Sequence, residues 1–318
     1  MSSQVIFDLD NEVYHRGAEY SEYISSTTLK KYKISPLAAH EAMTNPQELT
    51  SPGVLLGTKF HNIMEQVIKG LEPEDAVNSL FACFIAPVSE SGIKLRANSN
   101  AYKEAYSKFV EENQGKEIVT EDELHTLKAM VVSVMNNKLA KKLIRWAAPD
   151  KEKMTGSEIA VLSEVDGVKC KIKMDALTSN KILDFKTTSS SDLSEDSINK
   201  AIFNFGYDIS AAFYQKVMHE LTQSWYSFYE IFVQTTAPYD CVIVDMRHWS
   251  YNVEDGDIIN DQTHGCLECN ALMEIHKECL ENNEWPGADA YIAPDDKGNR
   301  VLCPMPSPWM ANQLTKKY

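Results

Sequence analysis

The sequence predicts a single α/β domain, residues 1–318, with a helical N-terminal portion. Apolar residues recur at three- and four-residue spacing through much of residues 20–147, as amphipathic helices require. Three strand-like runs then follow one another between 157 and 186, and strand and helix patterns continue to about 282. No repeat, low-complexity linker or clean compositional boundary separates these parts. The expected division is a helical portion at about 20–147, a sheet core at about 155–250, and a C-terminal helix with an irregular tail at about 251–318.

Ser25-Ser26-Thr27-Thr28 offers N-caps for a short helix ending near Ile34. Ser35-Pro36 starts another, with proline in the first turn, where its missing N–H costs nothing. From Val54 to about Lys69, Leu56, Phe60, Ile63, Met64, Val67 and Ile68 mark one helical face. A short helix and an extended run are expected between 71 and 88, then amphipathic helices over 101–114 and 120–147. Strands are expected at Ser157–Ser163, Gly167–Leu177 and Lys181–Lys186. In the second, Val168, Cys170, Ile172 and Met174 alternate with Lys169, Lys171 and Lys173. That pattern gives a buried face and a solvated lysine face, which would also suit a wall beside a phosphate backbone. Helices at about Leu193–Asn204 and Asp208–Leu221, strands at Trp225–Gln234 and Cys241–Met246, and a helix from about Gly265 to Asn282 complete the pattern.

Hydrophobic content of 43% and charged content of 24% suit a folded globular chain. No apolar run approaches the ~18 residues of a membrane helix, and the N-terminus lacks the features of a signal peptide, so a cytoplasmic location is expected. Seven scattered cysteines fit reduced thiols better than a disulfide framework. The net charge of −15 argues against a simple basic DNA-binding module. An enzyme acting on nucleic acid stays open, because metal-binding carboxylates add negative charge and basic residues can gather in one groove.

Chemistry concentrates at Met174–Lys186. Side chains on a strand alternate faces, so Asp184 and Lys186 share one side, and Asp175, nine residues before Asp184, can return beside it across a turn. Two carboxylates and an ammonium on one face suit a Mg²⁺ site with a lysine over the attacking water. Asp295-Asp296-Lys297 has the same spacing but reads as a polar turn. On the helix at 54–69, His61 and Glu65 are four apart, and the residue pattern alone favours an ion pair between them. Lys94 and Arg96 lie in a loop, able to touch phosphate or simply be solvated. Cys266, Cys269 and Cys279, near His264 and with Cys303 further on, suggest zinc or iron–sulfur, yet three of them fall on one helix that cannot wrap a metal. Phosphate-loop, dinucleotide, zinc-protease and hydrolase-elbow motifs are lacking.

Taken in order, Tyr23-Ile24-Ser25-Ser26-Thr27-Thr28-Leu29, Gly57-Thr58-Lys59-Phe60-His61, Lys173-Met174-Asp175, Leu183-Asp184-Phe185-Lys186-Thr187-Thr188, Tyr207 to Tyr214 and Glu284-Trp285-Pro286 resemble a known family. The sequence is similar to the PD-(D/E)xK nuclease superfamily, and within it to the exonuclease VIII (RecE)-like phage and prophage exodeoxyribonucleases. The ordered combination, from about residue 20 to 290, carries that resemblance.

The resemblance implies a restriction-endonuclease-like core, a central mixed β-sheet flanked by helices. It implies His61, Asp175 and Asp184 as metal ligands, Lys186 as the residue that orients or activates water, and Glu158, with Glu164 as its rival, as a further acid. Tyr207, Tyr214, Thr187 and Glu65 would be supporting residues, and Lys94 and Arg96 candidate phosphate contacts. Relatives often carry Gln four residues before the tyrosine matching Tyr214, where Ser210 stands here, and Gln215 would point elsewhere. The implied activity is Mg²⁺-dependent digestion of one strand of linear double-stranded DNA, 5′ to 3′, with Mn²⁺ able to substitute. The 3′ single strand left behind would serve phage-type recombination. Implied partners are further copies in a homo-oligomeric ring and a single-strand annealing protein, in the cytoplasm of a bacterium or phage-infected host. The alternatives are an endonuclease or iron–sulfur single-strand nuclease on the same fold, and a non-catalytic DNA-end binding protein.

Overall fold

A computed structural model describes residues 3–302 and 304, apart from 48, 49, 89–91 and 93. Cys303 and the tail beyond 304 lie outside the described residues. In chain order the elements are β1 (Gln4–Ile6), α1 (Asn11–Arg16), α2 (Ser26–Leu29), α3 (Pro36–Thr44), α4 (Pro52–Ile68), α5 (Pro73–Leu80), β2 (Phe81–Cys83), α6 (Asn100–Glu112), β3 (Glu117–Val119), α7 (Glu121–Asn136) and α8 (Lys138–Trp146). There follow β4 (Gly156–Val165), β5 (Val168–Leu177), β6 (Lys181–Thr188), α9 (Glu195–Phe205), α10 (Tyr207–Thr222), β7 (Ser227–Gln234), β8 (Cys241–Asp245), β9 (Asn252–Glu254), β10 (Asp257–Asn260) and α11 (His264–Asn282).

The main sheet runs β1-β4-β5-β6-β7-β8, with β6 and β7 parallel and the other neighbours antiparallel. Parallel neighbours need a crossover, and α9–α10 supply it, which sets α10 against one sheet face. Ile159, Ile172, Met174, Phe228 and Phe232 pack on that side with Ile209, Phe213, Val217 and α11. Leu183, Phe185, Ile231 and Val233 pack on the other with Phe60, Ile63 and Met64 of α4 and Leu127, Met130 and Val134 of α7. The result is the mixed, helix-flanked sheet expected from sequence.

Local chemistry sets the boundaries. Ser25 and Ser35 cap α2 and α3 by accepting from Thr28 N–H (3.3 Å) and Ala38 N–H (3.1 Å). Instead of one helix over 120–147 there are two. Asn137 stands outside helical geometry, and its side chain accepts from Leu139 and Ala140 N–H, capping α8. The strand β2 is the first three residues of the extended run expected after α5; the short strands β1, β3, β9 and β10, and the helix α1, were not anticipated, because runs of three to six residues carry too little periodicity.

The lysine face of β5 is largely covered rather than solvated, with Lys169 still 32% exposed. Lys171, 7% exposed, donates from Nζ to Tyr14 O (2.8 Å) and Tyr20 O (3.3 Å). Lys173 donates to Leu9 O (2.8 Å) and Asn11 Oδ1 (2.7 Å), and Lys169 pairs with Glu22. Carbonyls of the N-terminal segment thus stand in for water around these ammoniums. Asp295 forms the polar turn its sequence suggests, accepting from Lys297 and Asn299 N–H at 2.9 and 2.8 Å. Among the described residues no helix is long and apolar enough to cross a membrane.

Helix α11 closes the core with free, buried Cys266, Cys269 and Cys279. Burial pushes the Cys266 thiol up to about 11 and the Cys269 thiol up to about 12. On the same helix His276, 1% exposed, meets the Tyr32 hydroxyl at 2.6 Å from Nδ1, and burial lowers its pKa to about 4. The folded state therefore holds His276 neutral. Above its unfolded value near 6.5 the imidazole costs nothing, and as pH falls from there toward 4 the unfolded chain takes up the proton first and stability drops. Urea titrations across that window should show His276→Gln, which keeps an acceptor for Tyr32, losing a pH dependence worth up to about 3 kcal/mol.

Candidate active site

The site forms where the main sheet opens. Strands β5 and β6 pair at Leu177–Ile182 and Ala176–Leu183, and the ladder then stops. At the next position Phe185 N–H donates to Asp175 Oδ2 (2.7 Å), so a side chain takes the bond a strand backbone would have made. On the other side of Asp175 the β4–β5 ladder skips Glu158, whose φ is +52°. A non-glycine residue held there inside a strand stores of the order of 1 kcal/mol or more. Two-residue alternation slips at this point: Met174 packs toward α10, whereas Ala176 packs toward α4. Glu158 lies across from Asp175, Asp175 lies one step beyond the last β5–β6 pair, and Asp184 pairs with Glu230 of β7. Four carboxylates therefore cross four adjacent strands.

Helix α4 brings in His61. Its Nδ1 stands 3.2 Å from Asp175 Oδ1, and its ring packs edge-on to Phe185 at 6.0 Å. Gly57, one turn earlier, permits this approach, since a Cβ there would stand 3.1 Å from Thr187 Oγ1. Lys186 makes an ion pair with Asp184, and its Nζ lies 4.4 Å over the Tyr207 ring at the start of α10. Glu158 pairs with Lys173 at 2.9 Å. Tyr214, one helical face along from Tyr207, donates to Lys173 O at 3.1 Å and so ties α10 to β5.

Glu158, Asp175 and Asp184 each face a cation, and the charges shift accordingly. Burial would lower His61, but the adjoining Asp175 carboxylate outweighs it and lifts the imidazole to about 9. Burial pushes Asp175 up, yet His61, Lys186 and the Phe185 N–H together hold it below the usual carboxylate range. Burial and the nearby Asp175 charge raise Asp184, against the pull of Lys186. Burial would also lower Lys186; Asp184, Glu230 and Tyr207 instead keep it firmly an ammonium. Burial and Asp175 raise Glu158.

The structure gathers His61, Glu158, Asp175, Asp184, Lys186, Tyr207 and Tyr214, and sets Thr187 beside α4. It does not form the His61–Glu65 pair; Glu65 turns to Lys69 (2.6 Å), because His61 meets the stronger field of Asp175. Glu164 sits opposite Lys169, at the far end of β4 from Glu158. Lys94 bridges to Val88, and Arg96 O accepts from Ser99; no contact among the described residues joins either to the site. Ser210 bonds back to Gly206 O (3.4 Å), and the buried Gln215 amide donates to Tyr226 O and Tyr251 O at 2.7 and 3.0 Å, so it serves the fold.

Two residues were missed. Glu230, 1% exposed, has Oε2 without a hydrogen-bond partner, and burial together with Asp184 raises it to about 8 despite Lys186 and Lys30. A glutamate inside the apolar run Phe228–Val233 was the available signal. Lys30 donates to Phe205 O (3.1 Å) and lies 5.9 Å from the Tyr207 ring, with its stem over Gly206. Nothing in its local sequence marked it.

Among the described residues no three His, Cys, Asp or Glu side chains already converge on one point as a metal cage would. The donor set nonetheless fits a hard divalent cation: the His61 imidazole abuts the Asp175 carboxylate, and the buried Asp184 carboxylate lies on the adjoining strand with Lys186 as its partner. An open cleft of about 220 Å³, lined by Asp8, Asp10, Glu65, Lys69, Glu158 and Lys173, adjoins the site on the Glu158 side.

The model of a family described as a PDDEXK-like domain of unknown function (DUF3799) matches residues 25–288. A crystal structure of a protein named "Putative exonuclease" from Eubacterium rectale is similar over 97% of this chain and 98% of that one, at 16% identity and a TM-score of 0.53. No curated protein matches the chain.

The closeness of α4 to β6 is open to test. In Gly57→Val the added methyls meet Thr187, and urea unfolding should show a loss of about 1–3 kcal/mol, the range for overpacking. Gly57→Ala should lose much less.

Proposed function

Because the chain belongs to the PDDEXK-like domain family, we propose that it is a divalent-cation-dependent nuclease, and more narrowly an exodeoxyribonuclease acting on linear duplex DNA. The observation that carries this reading is the opened strand pair. Asp175 and Asp184 meet there with His61 on one side, and Lys186 stands two residues along the same strand. The similarity to a protein named as an exonuclease favours attack from an end, as does the resemblance to exonuclease VIII-like enzymes. That resemblance also supports 5′ to 3′ polarity, a 3′ single-stranded product used in recombination, a ring of identical subunits and an annealing-protein partner.

Asp175, Asp184 and His61 would hold Mg²⁺, or Mn²⁺ given the imidazole donor, with Glu158 close by. A bound cation supplies Lewis-acid stabilisation of the negative charge that develops on phosphate and leaving oxygen. The protein supplies position. Phe185 N–H fixes the Asp175 carboxylate, and His61 holds its other oxygen. Lys186, cornered between Asp184 and the Tyr207 ring, presents an ammonium that can orient an attacking water and meet the phosphate charge. Asp184 is the charge that steadies that ammonium, with Glu230 on the next strand opposite Asp184.

Digestion of end-labelled linear duplex with Mg²⁺ should be rapid for the wild type, absent in EDTA, and slowed roughly a hundredfold or more in Asp184→Asn and Lys186→Ala. Equal rates for wild type and Asp184→Asn would remove the site assignment. Rapid cutting of covalently closed circles would replace the exonuclease reading with an endonuclease. Thermal unfolding gives a separate readout: Mg²⁺ should raise the wild-type Tm and leave that of Asp184→Asn unmoved.

A further inference from the structure

The junction of α9 and α10 presents an aromatic side chain to solvent beside Lys186. Phe205 is 62% exposed, the most exposed aromatic among the described residues. Its ring centroid lies 5.5 Å from that of Tyr207, at an interplanar angle of 30°. Tyr207 in turn lies 4.4 Å from Lys186 Nζ. The Phe205 ring itself is therefore no more than about three base steps of ~3.4 Å from Lys186 Nζ, and a base stacked on it about one step further. Gly206, with φ +61°, turns the chain between the two rings, and a Cβ there would stand 2.8 Å from Lys30 Cδ. Lys30 can thus cross the junction and bring its ammonium to Phe205 O (3.1 Å). Two residues back along α9, Phe203 is 51% exposed and carries Lys33 Nζ 5.4 Å over its ring.

A lone exposed apolar side chain is ordinary. Here Lys33 lies over the exposed Phe203 ring, and Lys30 reaches the backbone of the exposed Phe205 and the ring of Tyr207, in a chain of net charge −15; Phe205 in turn abuts the residue that holds Lys186. Aromatic faces interleaved with ammoniums are what a single strand of nucleic acid requires, the rings for its bases and the lysines for its phosphates. We propose that Phe205, backed by Tyr207 and flanked by Lys30, is a stacking platform for a nucleobase of a DNA strand that enters or leaves the Asp184–Lys186 site. This rests on the nuclease reading above and adds how the unpaired strand is gripped.

The test uses the full chain, its Phe205→Ala and Phe205→Trp variants, and a single-stranded oligonucleotide carrying 2-aminopurine, in EDTA. Wild type and Phe205→Trp should change the 2-aminopurine emission on binding. Phe205→Ala should lose that change and bind about fivefold or more weakly, with the salt slope of binding unaltered because stacking neutralises no phosphate. If Phe205→Ala binds and perturbs the probe like wild type while wild type still digests linear duplex with Mg²⁺, the platform is refuted and the nuclease reading stands. If wild type neither binds the oligonucleotide nor digests duplex, both fall. A smaller sedimenting species for Phe205→Ala, with oligonucleotide binding unchanged, would assign the ring to a contact between copies of the chain and overturn the platform.

Discussion

The arrangement depends on one hydrogen bond, from Phe185 N–H to Asp175 Oδ2. An antiparallel pair that has begun at Leu177–Ile182 gains by continuing, because every buried N–H needs an acceptor. The Asp175 carboxylate supplies that acceptor and lets β5 and β6 part without orphaning the amide. Their parting frees the end of β6 to carry Asp184 and Lys186 toward α10, while the other Asp175 oxygen turns to His61 on α4. The left-handed backbone at Glu158 belongs to the same break, since the face alternation of β4 and β5 slips there.

Opening a sheet over buried carboxylates would be prohibitive if they stayed unpaired. Glu158 has Lys173, Asp175 has His61, and Asp184 has Lys186. These pairs offset repulsion and desolvation, although a buried ion pair seldom adds net stability over an apolar equivalent. Their persistence is better understood as positioning: each cation fixes the rotamer of an acid that must be presented in one direction. Glu230 departs from the scheme. Burial and Asp184 push it up to about 8, so at neutral pH it is mostly the neutral acid, and Asp184 is the charge that keeps Lys186 an ammonium despite burial.

Much of this could be read from the sequence. Long helices and strands were recognisable because their periodicity extends over many residues, and the Met174–Lys186 hairpin because its two strands are joined by a tight turn. The lysines of β5 were misjudged for a reason that applies generally. Alternation reports which residues share a face and says nothing about what covers it; residues 9–20 hold only the short helix α1 and a single tight turn, too brief to show in the sequence pattern, yet their carbonyls enclose Lys171 and Lys173. His61 shows the reverse case. Its neighbour four residues away was the obvious partner, but a carboxylate on another element lay nearer and in a drier place.

Glu230 and Lys30 were out of reach because both enter through topology. A parallel pair cannot be joined by a hairpin, so the register of Asp184 against Glu230 is set by the whole α9–α10 crossover and leaves no local trace. The same crossover explains why serine is tolerated at position 210. Ser210 bonds within its own helix, and α10 reaches the site instead through the Tyr207 ring under Lys186 and the Tyr214 hydroxyl on β5. Gly206 makes this possible by setting α10 at a sharp turn from α9 and leaving room for the stem of Lys30. An amide at 210 would have been one way to fix α10 over the Asp175 and Asp184 carboxylates. Two tyrosines, a glycine and a lysine from the N-terminal segment hold it there in this chain.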